Sequence, residues 1–221
     1  MGDLLRLRVS DHVRRHFPDY QAIVVVARSV ESGPSDAEST GMLREAESRA
    51  RERLGEQLPS SLPEIAAWRA TMAQFGCKPS RFPCSAEALL KRVARGDELP
   101  SINHLVDIYN AISITFAVPL GGEDIDQVRG DVVLLPASGD ESFDGGDPPR
   151  AGEIVWRDDL GVTCRAWNWR QGTRTRITEV SSNVYFLLEA IEEHGAVSLE
   201  VAASDLCCHL SAVEIEATRL A

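Results

Sequence analysis

Residues 101–136, SINHLVDIYNAISITFAVPLGGEDIDQVRGDVVLLP, change character halfway along. Ile102, Leu105, Val106, Ile108 and Ile112 recur at helical spacing, so the first half reads as a helix opened by Ser101. The pair Gly121-Gly122 then reads as turn material, and from Gly130 onward the runs become short and β-branched. Upstream lie more helices: residues 42–58, charged on most sides, residues 64–76, with Ile65, Trp68, Met72 and Phe75 on one face, and residues 85–96. Ser61 reads as the cap of the second and Ser85 as the start of the third, whose late basic residues suit the helix dipole.

Downstream, DVVLLPA (131–137), GEIVWRD (152–158), GVTCRAWNW (161–169) and RTRITEV (174–180) read as strands. A helix pair is expected from Ser182 to His194 and from Val197 to about Leu210, then a closing strand over 213–220. At the other end, strands Leu4 to Val9 and Ala22 to Val30 flank one helical turn, with Asp11 as cap and Pro18 as stop, and 31–41 reads as loop. There is no βαβ rhythm and no internal repeat. The expectation is α+β: a single compact domain over 1–221, with central mixed β-structure and helices packed on it.

Lys and Arg total 23 against 34 Asp and Glu, a net charge of −11, which excludes a DNA-coating role because such binding rests on phosphate neutralisation by a basic surface. The charge is uneven. Residues 69–95 hold six basic residues against Glu87 alone, and residues 164–176 hold four with no acid. Half of that reading is an ordinary solvated face; the other half is a local anion site, with Lys78, Arg81, Arg92, Arg165 and Arg174 as candidate RNA contacts. Trp167 and Trp169 in RAWNW are either stacking platforms for unpaired bases or two core residues on one strand face. Asn103, Asp107 and Asn110 share one helix stripe, which suggests hydrogen-bonding duty.

No phosphate loop, dinucleotide fingerprint, nucleophile elbow or HExxH stretch occurs. The calcium-like start at Asp140 fails because its final ligand position holds Ala151. Adjacent Cys207 and Cys208 in a helix point about 100° apart, so Cys207-Cys208-His209 makes no metal site. Neither metal nor cofactor is predicted. The five cysteines show no disulfide framework, no apolar leader precedes the first charges, and no run approaches the ~20 apolar residues of a membrane helix. A cytoplasmic protein is expected, with no membrane association.

The ordered motifs SAEALLKRV, INHLVDIYNAIS, PLGGEDID and CRAWNWRQ together resemble the B3/B4 domain, the tRNA-binding and editing module of the phenylalanyl-tRNA synthetase beta subunit. The resemblance is clear from Trp68 to Ala190 and looser over 1–60 and 191–221. It implies a free-standing module that holds the aminoacyl end of tRNA and hydrolyses a mischarged ester, a tRNA-editing deacylase acting in translation quality control. The alternative is a non-catalytic module binding RNA or a small amino-acid-like ligand; no catalytic residue is assigned. By the same resemblance, Asn110, Asp124 and Glu189 fall on family positions, Glu189 on the glutamate that recognises the tyrosine hydroxyl. Gly121 replaces a pocket histidine, Tyr109 a threonine, and the WNWR stretch a run of small residues, which implies an aminoacyl group other than tyrosine. The candidate substrate residues are Asn103, Asp107, Asn110, Gly121, Gly122, Asp124, Glu153, Asn168, Arg170 and Glu189. Of these, Asn103, Asp107, Asn110, Glu153, Asn168 and Arg170 are expected to converge on one pocket. Glu189→Ala is expected to blur substrate preference more than it lowers stability.

Overall fold

The computed structural model describes residues 6–191 and 193–220. Its chain order is β1 (Leu7–Val9), α1 (Asp11–His16), β2 (Tyr20–Arg28), α2 (Ala37–Leu54), α3 (Pro63–Gln74), α4 (Ser85–Ala94), α5 (His104–Phe116), β3 (Leu120–Asp124), β4 (Val132–Pro136), β5 (Ile154–Asp158), β6 (Gly161–Arg165), β7 (Arg170–Gln171), β8 (Asn183–Ile191), α6 (Glu193–His209) and β9 (Glu214–Leu220). The α+β class holds. Two sheets form, in the orders β1-β4-β5-β6-β7 and β3-β8-β2-β9. Only β1 and β4 pair in parallel among the described strands; every other ladder is antiparallel.

Strand β8 shows how the layers are made. Val184, Phe186, Leu188 and Ala190 pack with Ile112 of α5 and Leu199 and Leu206 of α6. The alternate residues Tyr185 and Leu187 turn to the opposite face, joining Trp68, Trp156 and Trp167 in a second core against the other sheet. Period-two alternation in a strand buried on both faces thus joins a helical layer to a second sheet.

Several local expectations are corrected. Residues 183–191 form β8 and not a helix: NVYFLLEAI is β-branched and aromatic, and a run apolar on both faces carries no period to separate helix from strand. Residues 120–124 form β3 rather than a turn. RTRITEV makes only an isolated bridge, Glu123 with Arg176. The 161–169 strand stops at Arg165, because Ala166 and Trp167 both take left-handed backbone, at φ 44° and 65°. Helix α2 begins inside the expected loop, since Asp36 and Ser39 form a reciprocal capping box. The caps of α1, α3 and α5 are Ser10, Leu62 and Asn103, not Asp11, Ser61 and Ser101. Of the expected Leu4 to Val9 strand, Leu4 and Leu5 lie outside the described residues.

Candidate ligand pocket

A cavity of about 290 Å³ opens between β3 and β8 of one sheet and β5 to β7 of the other, closed on a third side by the first turn of α4 and by Tyr109 and Asn110 of α5. That volume lies at the lower edge of the ~300–1,000 Å³ usual for small-molecule sites.

Glu189 lines the cavity at 3% exposure. Its Oε1 accepts from the Tyr20 hydroxyl at 2.7 Å, Trp167 Nε1 at 3.0 Å and Trp156 Nε1 at 3.3 Å; its Oε2 accepts from Asn168 Nδ2 at 3.0 Å. Burial raises its pKa, and these donors pull the other way. The 166–168 turn sets two of the four. Left-handed backbone at non-glycine residues costs energy and persists only where the surroundings enforce it. Here it is held by a 2.6 Å bond from the Trp167 N–H to the Ile154 carbonyl and by packing of the Trp167 ring against Trp68, Tyr20 and Phe17.

Glu123 is a second buried carboxylate on the wall, on β3 directly opposite Tyr185, whose hydroxyl donates to its Oε2 at 2.6 Å. The Thr163 and Thr175 hydroxyls lie beside it without completing a hydrogen bond to it. Burial pushes Glu123 up to about 7. Both acids face the same side because β3 and β8 alternate in register. Gly121 lies on that side too, and a Cβ there would meet open space. Gly122 faces the other way: a Cβ would stand 2.6 Å from Ile177 Cδ1, while its carbonyl accepts from Gln171 Nε2 at 2.8 Å.

The cavity's polar capacity is unspent. Asn168 Oδ1 and Ser85 Oγ are buried and have no partner among the described residues. The Ser85 backbone N–H instead donates to the Asn168 carbonyl at 3.1 Å, tying α4 to the turn. Outside, the partly exposed Trp169 lines the mouth, with the Arg170 guanidinium 5.8 Å from its ring and Phe82 edge-on at 4.7 Å; Arg81 in turn sits 5.3 Å from the Phe82 ring. Trp167 and Trp169 therefore part company: one is core, the other rim.

Among the residues expected to converge, only Asn110 and Asn168 line the cavity. Asn103 caps α5, its Oδ1 accepting from the Val106 N–H at 2.9 Å while Nδ2 donates to the Ile177 carbonyl at 3.2 Å. Asp107 accepts from the Ile102 N–H at 2.8 Å, and Asp124 from the Asp126 N–H at 2.9 Å and the Ser181 hydroxyl at 2.6 Å. Glu153 is held by Arg165 through Nε at 2.9 Å and Nη2 at 2.8 Å. Arg170 is exposed at the rim. Gly121, Gly122 and Glu189 do line the wall.

The candidate RNA contacts divide. Lys78, Arg81 and Arg92 are exposed. Arg165 is buried in its pair with Glu153, and Arg174 grips Asp158 at 2.7 and 2.9 Å, so neither offers a free charge. Sequence reasoning passed over Glu123, Tyr185, Trp156 and Gln171. The available signal for the first was the Gly-Gly-Glu alternation, legible only once 120–124 is read as strand.

The B3/4 domain family model matches residues 67–200. That match places the chain among tRNA-binding-type domains. Among solved structures, an N-terminal fragment of the phenylalanyl-tRNA synthetase beta-subunit from Pyrococcus horikoshii aligns with 94% of this chain and 48% of its own, at 10% identity and a TM-score of 0.48. The chain thus spans about half the length of that fragment. No curated protein gives a significant match. No helix among the described residues is long and apolar enough to cross a membrane.

Proposed function

Because the chain belongs to the B3/4 domain family, we propose that the cavity receives the aminoacyl group of an aminoacyl-tRNA, or of a similar aminoacyl ester, and that the protein hydrolyses that ester in trans. The observation that carries this reading is the polarity of the site. Its interior is acidic, with Glu123 and Glu189, while its rim carries Arg81 and Arg170 stacked on aromatic rings. An aminoacyl-tRNA end has the matching order: an ammonium on the amino acid, then phosphates and bases behind it.

Asn110 has no hydrogen-bond partner for its amide among the described residues and lies on the wall, where it can donate to an ester carbonyl. Aminoacyl esters are intrinsically labile, so fixing the ester and a water in line needs no activated nucleophile. Cys164, the wall thiol, is driven well above its usual pKa by burial, which disqualifies it as a thiolate. The open space at Gly121, with Tyr109 and Trp169 on the wall, supports an aminoacyl group other than tyrosine. The cytoplasm, where charged tRNA and free thiols coexist, is the compartment that suits this reading.

The test is a deacylation screen of tRNAs charged with each amino acid, with and without the protein. Faster hydrolysis of one class of ester than the others supports the proposal; no acceleration of any rejects hydrolysis. The wall residues described include no nucleophile–base pair, which supports, as second reading, a module that binds the aminoacyl end without cleaving it.

A further inference from the structure

Among the described residues, the wall of the cavity carries two carboxylates and no Lys, Arg or His. Glu123 and Glu189 lie in its lining at 6% and 3% exposure, and neither has a cationic partner among the described residues. Of the other buried acids, Glu47, Glu87, Glu153 and Asp158 are paired with cations, whereas Asp107, Asp124 and Glu141 are held by backbone N–H groups and hydroxyls and line no part of this cavity. Buried charge is stabilised by pairing or by hydrogen-bond donors, and Glu123 and Glu189 stand where a ligand can bring the missing cation.

Part of the unmet hydrogen-bond capacity there is acceptor capacity, beside the Ser85 hydroxyl and the Asn110 amide, which can also donate. Asn168, 8% exposed, presents an unpartnered Oδ1, and Glu189 Oε2 takes only one of the donors it can accommodate. Trp156, Trp169 and Tyr185 supply aromatic faces on the same wall. A donor-rich cation satisfies all of these at once.

One cation is not enough for both acids. Glu123 pairs across the sheet with Tyr185, and Glu189 lies four residues further along β8, about 13 Å at the usual strand rise. The donors that hold Glu189 come from β2, β5 and the 166–168 turn, away from Glu123. An α-ammonium can meet one carboxylate; the other then faces an apolar stretch lined by Leu120 and Leu187 unless the ligand brings a second charge.

We infer that the aminoacyl group taken by this cavity has a basic side chain, its α-ammonium and its side-chain cation being shared between Glu123 and Glu189. This inference rests on the proposed aminoacyl site and names its substrate class. Basic side chains reach between the two acids across the apolar stretch, and their polar ends supply the donors that Asn168 Oδ1 lacks.

The test uses amino-acid amides, which contain no ester. L-lysinamide, L-argininamide and L-norleucinamide are titrated into the protein at pH 8 and low salt, with indole fluorescence from the wall tryptophans as readout. At least about tenfold tighter binding of one basic amide than of norleucinamide is expected, the scale of a hydrogen-bonded charge. Glu123→Gln, which keeps an acceptor for Tyr185, is expected to remove most of that preference while the unfolding midpoint stays measurable. Equal or tighter binding of norleucinamide, or no binding of any amide, overturns the inference. Selective amide binding without deacylation of any charged tRNA leaves the inference standing and rejects hydrolysis. Deacylation that favours apolar esters, with no basic preference among the amides, does the reverse.

Discussion

At the residue scale the two pocket acids make opposite demands on stability. Removing Glu189 leaves the Tyr20 hydroxyl, two indole N–H groups and the Asn168 amide without their acceptor. Unpaired buried donors cost about 1–3 kcal/mol each when water cannot reach them, so Glu189→Ala is expected to lower unfolding free energy by roughly 3 kcal/mol or more. Glu189→Gln retains an oxygen and should cost less; urea unfolding of the two variants checks the order. This revises the sequence-based expectation that specificity would suffer more than stability, because the donor cage was invisible there. Glu123 acts through pH. Its pKa is raised in the fold from 4.5 to about 7 by burial, against the pull of Tyr185, Thr163 and Thr175, and Asp158 adds to the rise; Cys164 and Tyr109 also face it, with Arg176 beyond. The folded state therefore binds the extra proton between those values, and stability falls as pH climbs from about 4.5 to about 7, by up to about 3 kcal/mol. Asp36, Glu141, Asp144 and Asp158 are shifted down, so their contribution is lost instead as pH falls through the acid range. Glu123→Gln should make the slope between pH 5 and 7 shallower, the remainder belonging to Glu189, which burial also raises, and leave the acid limb intact. An unchanged slope would show that Glu123 titrates normally.

At the element scale, the reach of sequence reasoning followed the strength of local signals. Helices α3 and α4 were legible because an apolar stripe and a closing glycine agree in both, with a basic last turn added in α4. Strand β8 was not: seven of its nine residues are buried, on both faces, so neither period survives. With it went the setting of Glu189. Strand β3 was hidden differently, since Gly121 and Gly122 are turn residues by propensity and strand residues by tertiary demand. The demand is on Gly122 alone. A Cβ there meets Ile177 Cδ1 at 2.6 Å and Phe186 Cδ1 at 2.8 Å, whereas at Gly121 it meets nothing. Gly122→Ala is thus expected to cost about 1–3 kcal/mol through overpacking, and Gly121→Ala to stay within about 0.5 kcal/mol of the parent while narrowing the cavity. Thermal melts of the pair decide it: equal losses would mean that β3 does not lie against β8 in this register. Asn103 and Asp107 belong to the same lesson. A polar stripe on a helix looks like a site, yet capping and end-sealing use the same residue types.

At the scale of the whole molecule, the charge distribution becomes meaningful only after pairing is counted. The two basic segments looked like a binding face, but Arg69, Lys91, Arg165 and Arg174 are spent on buried acids of the chain itself. What remains free near the cavity is Arg81 and Arg170 on their aromatic supports and exposed Arg176 beside Tyr109, with exposed Lys78 close to Arg81 in sequence. The rest of a chain of net charge −11 repels phosphate. Binding of tRNA should therefore be confined to its single-stranded end, with stacking on Trp169 and Phe82 contributing where charge does not. For about three single-strand phosphate contacts, the slope of log K against log salt is near −2, so affinity should fall only about fifteenfold between 50 and 200 mM salt. Arg170→Ala and Arg81→Ala should each make the slope shallower by about 0.7, whereas Arg92→Ala, which has no aromatic support among the described residues, should change it less. Filter binding with a charged tRNA across that salt range provides the measurement. A slope steeper than about −5 would require a continuous basic track. Arg69, Lys91, Arg165 and Arg174 are spent in ion pairs, so such a result would require phosphate contacts well beyond the rim and would detach tRNA affinity from the cavity.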